Sequence, residues 1–287
     1  MEPQVKEFVQ HVNEADAILV GGGSGLSNAA GMDFWYEASP LFMKHMKYFY
    51  DKYHFEGIFN GFYTHFDSPE ERWAFFLIAW KMVFEIPAQK KTYEYLRTVI
   101  GDKPYHLITT NQDGLFKQYF PADNVSEIQG SHYFLQSKNT ETDKHLYDNQ
   151  AIVERLLPKI KDYRLPREDF PVSPIDGAPL TFWVRSPEFL EDQRYHNEYQ
   201  KISRFLGQHA GQKILFLEMG VGRMTPMFIQ EPFWEMTHYL PQTFYVNINP
   251  KDALTSPEIK HRSQLISADI NQVLKEAASF MQGGAHA

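Results

Sequence analysis

The chain predicts an α/β fold, a parallel sheet flanked by helices, on three observations. Short apolar runs recur along it with helical patterns between them. The first run ends in a cluster of glycines, and a second run ends in an Asn-x-Asp-Gly turn. Two segments, 34–88 and 130–185, break the alternation and read as insertions into it.

The elements follow in order. Val5, Phe8, Val9 and Val12 fall at helical spacing and predict a helix over 3–14. Strands are expected at Ala17 to Val20, Tyr105 to Thr109, Val125 to Ile128, Ile214 to Leu217, Phe244 to Ile248 and Gln264 to Ile266. Further helices are expected at 25–31, 69–85, 89–100, 187–209 and 268–282. Ser68 before Pro69, Glu70 and Glu71 reads as a helix start, as does Ser186 before Pro187 and Glu188. Segment 34–88 carries Phe42, Tyr48, Phe49, Tyr50, Tyr53, Phe55, Phe59, Phe62, Tyr63 and Phe66, which suits a small helical module whose aromatics either pack together or line a channel. Segment 130–185 is polar and punctuated by prolines, with extended pieces at Ser131 to Gln136 and Leu180 to Arg185. Only the tail, GGAHA, reads as frayed.

Composition narrows the function. At 43% hydrophobic residues the chain is not fibrous or disordered, and a formal charge of −8 argues against a nucleic-acid partner. The nearest approach to a basic patch, KIKDYRLPR at 159–167, is diluted by Asp162 and Pro166 and reads as a solvated loop. There is no cysteine, hence no disulfide, thiolate nucleophile or Cys-based zinc site. The first residues lack a basic, apolar leader, and no apolar stretch is long enough to span a membrane, so a cytoplasmic location with no membrane partner is expected.

The glycine segment is VGGGSGLSNAAGMDFWY, residues 20–36. Strand, glycine turn and helix in that order make a Rossmann-like phosphate site: the glycines allow close approach, and the helix start offers unpaired N–H groups. The same residues can serve as a plain tight turn. TTNQDGLF, residues 109–116, ends the second strand, so Asn111 and Asp113 lie at the sheet edge where ligands bind, although Asn and Asp also stabilise turns locally.

Together the two motifs resemble the sirtuins, which carry G-A-G-x-S-x-x-S-G-I and T-Q-N-x-D-G-L. Here the matching residues are Gly23, Gly25, Ser27, Gly31 and Met32, then Thr109, Asn111, Asp113, Gly114 and Leu115. EIQGSHYF (127–134) stands at the sirtuin L-H-G, EMGVGRMTP (218–226) at the G-T-S loop, and VNINP (246–250) at the I-N. The departures are as informative. Gln129 stands at the catalytic histidine, Phe34-Trp35-Tyr36 replaces the end of P-D-F-R, and Ser173 and Asp176 replace the second zinc cysteine pair, with Ser137 and Thr140 about where the first belongs. The module should therefore fold without metal. The G-x-G-x-S-x-A-A-G loop and the Gln are similar to a macrodomain-linked microbial branch that mono-ADP-ribosylates proteins.

The resemblance implies a Rossmann-like NAD-binding domain over 1–33, 89–129 and 186–287, a helical insertion over 34–88, and a zinc-module-like insertion without cysteines over 130–185. It implies NAD as cofactor, held by Gly23, Ser24, Gly25, Leu26 and Ser27, by Gly220 and Gly222, and by Asn249, Asp269 and Ile270 at the adenosine end. Asp269 can equally be a helix N-cap. Asn111 would position a ribose hydroxyl or a water, Asp113 would orient the nicotinamide carboxamide, and Gln129 would hold the ribose hydroxyls. Glutamine cannot act as a general base, whose loss costs about 10²- to 10⁴-fold, so deacylation should be feeble. His132 is a candidate displaced base, but in a strand it would point to the face opposite Gln129. The activity implied is transfer of ADP-ribose to a protein acceptor with release of nicotinamide. The acceptor in that branch is a lipoylated glycine-cleavage H-like carrier, and a macrodomain hydrolase is the functional partner. An NAD hydrolase, a weak deacylase and a non-catalytic NAD or ADP-ribose sensor are the alternatives.

Overall fold

The computed structural model describes residues 1–283. Its strands are β1 (Ala17–Gly22), β2 (Tyr105–Thr109), β3 (Val125–Glu127), β4 (Gly130–Ser137), β5 (Leu146–Asp148), β6 (Leu180–Val184), β7 (Ile214–Met219), β8 (Phe244–Ile248) and β9 (Ser263–Ile266). Six form one sheet in the order β3-β2-β1-β7-β8-β9, with every pairing parallel. The other three form an antiparallel sheet in the order β5-β4-β6. The parallel sheet agrees with the sequence expectation. Its first strand runs two residues further, because Gly21 and Gly22 belong to β1. They are there for packing: a Cβ on Gly21 would lie 2.3 Å from Ile229, and one on Gly22 2.6 Å from the Phe116 ring.

Helices are α1 (Glu2–Glu14), α2 (Ser24–Ala29), α3 (Pro40–Tyr53), α4 (Ile58–Tyr63), α5 (Pro69–Glu85), α6 (Thr92–Ile100), α7 (Leu115–Tyr119), α8 (Asn149–Leu156), α9 (Gln193–Gln208), α10 (Gln230–Tyr239) and α11 (Ile270–Gly283). Central strands covered on both faces show no polar alternation. Ile18 and Val20 face one core with α1, α6 and α11, while Ala17 and Leu19 face another with Phe205 of α9 and Phe233 of α10. Ser68 caps α5 as expected, its hydroxyl accepting from the Glu71 N–H at 3.2 Å. None of the described helices is long and apolar enough to cross a membrane. Residues 284–287 of the tail lie outside the described residues.

One expectation is corrected. The helix expected from 187 begins at Gln193, because residues 186–192 are held by other partners. The Gln136 amide accepts from the Leu190 N–H at 2.9 Å and donates to the Glu188 carbonyl, the Trp183 indole donates to the Leu190 carbonyl, and Asp192 supplies the cap. Helix α10, which the sequence reading did not anticipate, carries Pro232 in its first turn, where no N–H is needed. The 159–167 loop exposes its basic side chains, as expected of a solvated loop, and is also anchored: Leu165 is fully buried, Tyr163 stacks on Tyr48 at 3.9 Å, and Arg167 pairs with Glu70.

The aromatics of 34–88 pack against one another. Phe75 is met edge-on by Phe49, Phe55 and Phe62 at 5.4–5.7 Å. Beside them the fully buried Glu71 accepts from Tyr48, Lys52 and Tyr53 at 2.6, 2.7 and 2.8 Å, tying α3 to α5.

In the smaller sheet a carboxylate gathers the strands. Asp143, fully buried, accepts from the His145 N–H at 2.9 Å, the His145 ring at 3.1 Å and the Tyr147 hydroxyl at 2.8 Å. Burial opposes its ionisation, but hydrogen bonds from Ser173, His145 and Tyr147 outweigh that and hold its carboxyl down at about 2. Ser173 keeps its turn by accepting from the Ile175 and Asp176 N–H groups, and Asp176 accepts from Thr142. Among the described residues no group of three or more His, Asp or Glu side chains is placed to hold a metal ion. Replacing Asp143 by Ala leaves the buried Ser173 hydroxyl and the half-buried Tyr147 hydroxyl without their acceptor, a loss of about 1–3 kcal/mol. Chemical denaturation of Asp143→Ala should show a loss of at least that size, while a metal chelator leaves the wild-type melting temperature unchanged; a chelator-sensitive melt would sink this account.

Candidate active site

The direction of chain progression reverses between β1 and β7, and in an open parallel sheet the crevice at the carboxyl edge of such a point is a ligand site. Register brings the segments together. Gly22 pairs with Thr109 on one side and Met219 on the other, so the residues after each strand meet.

They meet backbone on backbone. A Cβ on Gly23 would lie 2.6 Å from the Gly220 oxygen, one on Gly25 2.8 Å from the Gly220 Cα, and one on Gly220, at φ +63°, 2.6 Å from Gly25 and Leu26. The Gly23 N–H donates to Met219 at 3.0 Å, the Gly25 N–H to Gly220 at 2.9 Å and the Leu26 N–H to Gly23 at 3.0 Å. Those three N–H groups are therefore committed within the protein, and these glycines serve the approach of the two loops. The half-buried Ser24 is left at the turn. Leu26 buries its side chain completely, and Gly222 stands in open space.

Behind this turn lies a buried polar bridge. Ser27 donates to Asp113 Oδ2 at 2.6 Å and accepts from Asn111 Nδ2 at 2.9 Å; the same amide donates to the Gly23 carbonyl at 2.9 Å. Both Nδ2 hydrogens are thus used, which fixes the amide and turns Oδ1 outward as an acceptor. Asp113, 5% exposed, also accepts from the Leu115 N–H at 3.1 Å. Burial pushes its carboxyl up from the ordinary range, against the Ser27 hydrogen bond. Thr109 completes the frame, donating to the Gly22 carbonyl and accepting from the Asn111 N–H.

Gln129 sits half-buried between β3 and β4, its carbonyl accepting from Gln112 Nε2 and the Arg185 N–H. Gly130 follows at φ +81°, against the Trp183 carbonyl. The His132 N–H donates to the Gln112 carbonyl at 3.0 Å, which ties this segment to the Asn111–Asp113 loop. Its ring is buried against Trp35 and Phe62 and accepts on Nδ1 from the Trp80 indole at 3.2 Å. Burial pushes its pKa down to about 3. His132 is a neutral core histidine, and no base stands in for the missing one there.

The adenosine-end residues are occupied structurally. Asn249 donates to the Val221 carbonyl at 3.0 Å and accepts from the Lys251 and Asp252 N–H groups. Asp269 caps α11, accepting from the Gln272 N–H at 2.8 Å. Ile270 is buried in the core. Two aromatics join the site: Tyr36, from the segment that replaces P-D-F-R, and Tyr93, which no motif announces. The Tyr36 phenol lies against the Ser24 hydroxyl, and the Tyr93 phenol against Ser27. An apolar pocket of about 550 Å³, lined by Leu206, Ile214, Met236, Tyr239 and Leu240, lies at the opposite, amino edge of the sheet.

Under the Gly220 loop, Glu218 accepts from Gln230 at 2.8 Å, Tyr245 at 2.7 Å and Asn247 at 3.1 Å, with no cation beside it. Burial pushes its pKa up to about 7.

No protein-family model matches the chain. It is 29% identical over 269 residues to a Staphylococcus aureus protein ADP-ribosyltransferase, covering 93% of this chain and 84% of that protein. It is 26% identical over 231 residues to a Fusarium oxysporum protein named a probable bifunctional ADP-ribose hydrolase/ADP-ribosyltransferase, covering 77% of this chain and 38% of that one. Among solved structures it is similar to a Sir2 homologue in complex with NAD, at TM-score 0.57 and 14% identity over 97% of this chain and 94% of the other. A mutant Sir2 homologue with ADP-ribose gives TM-score 0.56 and 14% identity over 98% of both chains. The chain has the Sir2 fold, as the motifs implied.

The Glu218 carboxyl near 7 compares with about 4.3 for an unfolded glutamate. Between those values the folded state keeps a proton that the unfolded chain has released, so this group's contribution to stability falls as pH rises through the window. Gln cannot titrate. The melting temperature of Glu218→Gln relative to wild type should therefore move in the variant's favour from pH 5 to pH 8; a difference independent of pH would refute the assignment.

Proposed function

We propose that the chain is an NAD-dependent protein ADP-ribosyltransferase of sirtuin type. The observation that carries this reading is the Asn111–Ser27–Asp113 bridge, set at the sheet edge where two glycine loops touch, with Gln129 nearby where a histidine base would stand. The residues fit a dinucleotide: side-chain-free loops for the pyrophosphate, a fixed amide oxygen and a buried acid beside them. The names of the S. aureus and Fusarium relatives support the activity, and the complexes of the Sir2 homologues support NAD.

Bound NAD supplies an anomeric carbon with nicotinamide as its leaving group. Asn111, its N–H₂ tied down, presents Oδ1 to a ribose hydroxyl. Asp113, fixed by Ser27 and Leu115, accepts from the carboxamide N–H₂ and holds that ring for departure. Gln129 steadies the ribose by hydrogen bonds without removing a proton, so the half of sirtuin chemistry that requires a base is disfavoured. Ser24 faces the pyrophosphate, while Gly23, Gly25, Gly220 and Gly222 let the backbone come close. Asn249, Asp269 and Ile270 border the adenosine end, chiefly through their backbone, since their side chains are engaged. In this reading 1–33, 89–129 and 186–287 bind the cofactor, and 34–88 with the 220–235 segment border the acceptor. Met224, 82% exposed, stands on that rim.

The first acceptor to test is the lipoylated glycine-cleavage H-like carrier. A relative named for both hydrolase and transferase supports a mark-removing macrodomain hydrolase as functional partner. A cytoplasmic location belongs to the same reading. Incubation with labelled NAD and this carrier should label the carrier and release nicotinamide, and Asn111→Ala should slow both by about 100-fold through lost positioning. Nicotinamide release without protein label would make the chain a hydrolase; intact, bound NAD would make it a sensor.

A further inference from the structure

Trp35 ends the short 3-10 turn Asp33–Trp35 that follows α2. Its ring, 7% exposed, stacks on Phe34 at 6.0 Å, Phe62 at 6.4 Å and His132 at 5.8 Å, so it bridges α4 and the first residues of β4. Its backbone is clamped, because a Cβ on Gly57 would lie 2.5 Å from the Trp35 oxygen. Neighbouring indoles find acceptors: Trp80 donates to His132 and Trp183 to Leu190. The Trp35 Nε1–H is buried and has none. The other such indole among the described residues, Trp234, lies on the opposite face of the sheet with Tyr245. A buried unpaired donor is costly enough to require an explanation, and a ligand acceptor is one.

The surroundings indicate which ligand. The next residue, Tyr36, reaches Ser24 in the phosphate turn. The stacked His132 is bonded through its backbone to Gln112, between Asn111 and Asp113. Trp35 is thus linked through Tyr36 to the Ser24 turn and through His132 to the loop that carries Asp113, at the nicotinamide end under the reading above. A carboxamide presents an N–H₂ and an oxygen. Asp113 can accept from the first, and nothing yet described donates to the second. An indole N–H in an aromatic wall suits that neutral oxygen and gives no advantage to water.

We propose that the Trp35 indole N–H donates to the carboxamide oxygen of the nicotinamide moiety, making Trp35 the residue that selects NAD over nucleotides lacking nicotinamide. This rests on the NAD reading, and the test separates the two. Calorimetric titration without acceptor protein, with nicotinamide release followed to exclude turnover, gives dissociation constants for NAD and for ADP-ribose. Wild type binding both upholds the cofactor assignment; wild type binding neither overturns that assignment and this proposal with it. Trp35→Phe keeps an aromatic ring and removes the donor. It should weaken NAD about five- to tenfold, the range of one neutral hydrogen bond, and leave ADP-ribose within about twofold. Phe62→Leu, a packing change in the same stack, should lower the melting temperature and leave the NAD to ADP-ribose ratio unchanged. Equal loss for both ligands in Trp35→Phe, or no loss for NAD, would overturn the proposal and make the indole a packing element that at most holds a structural water.

Discussion

Everything at the carboxyl edge depends on how one carboxylate is buried. Asp113 has no cation within hydrogen-bonding reach and is held by a hydroxyl and a backbone N–H. A charge so placed is stable only if its donors cannot move. Ser27 meets that demand because it sits on α2, which the Gly23–Gly25 turn presses against the Gly220 loop. Asn111 is locked by the same hydroxyl, so one oxygen atom orients both polar side chains. The glycines matter through this chain of contacts: a side chain at 23, 25 or 220 would separate the loops and leave Ser27 out of reach of its partners.

The smaller sheet answers a related demand without a metal. Asp143 draws together residues 143–147 and Ser173, and Asp176 with Thr142 closes the neighbouring turn. Hydrogen bonds to a fixed carboxylate are directional and short-ranged, so the module needs every donor in place, whereas a metal draws its ligands in from farther away. The benefit for the site is positional. Strand β4 begins at Gly130, and its pairing with Val184 sets where Gln129 ends and His132 enters the aromatic wall.

Much of this architecture could be read in the sequence, for identifiable reasons. The strands of the parallel sheet are continuous apolar runs because both faces are covered, and Ser68 before Pro69 is a local signal with a local cause. What was not legible depends on partners far along the chain. Nothing near residue 190 reveals that Gln136 takes its N–H and cancels a helical turn. Nothing in the glycine motif says that the N–H groups of Gly23 and Gly25 are consumed by the Gly220 loop. Nothing beside Asn249 says that its amide oxygen closes the 249–252 turn. The basic look of 159–167 concealed Tyr163 and Leu165, which dock it. The residues that meet at the carboxyl edge were legible as types and in order, while the direction in which each hydrogen bond is spent was not.

That direction decides the chemistry. Gln129 stands where the resemblance to the sirtuins places a histidine, and the neighbouring imidazole supplies no base: burial among aromatic rings pushes the His132 pKa down to about 3, and its Nδ1 already accepts from Trp80. The atoms that remain able to act on a nucleotide are the Asn111 oxygen, the Asp113 carboxylate and amide groups that do not titrate. Under the proposed reading such a site orients and polarises, and it has no imidazole to draw a proton from a ribose hydroxyl. On that same reading, the site keeps the part of the sirtuin apparatus that prepares a glycosidic bond to break and lacks the base that processing an acyl group afterwards requires.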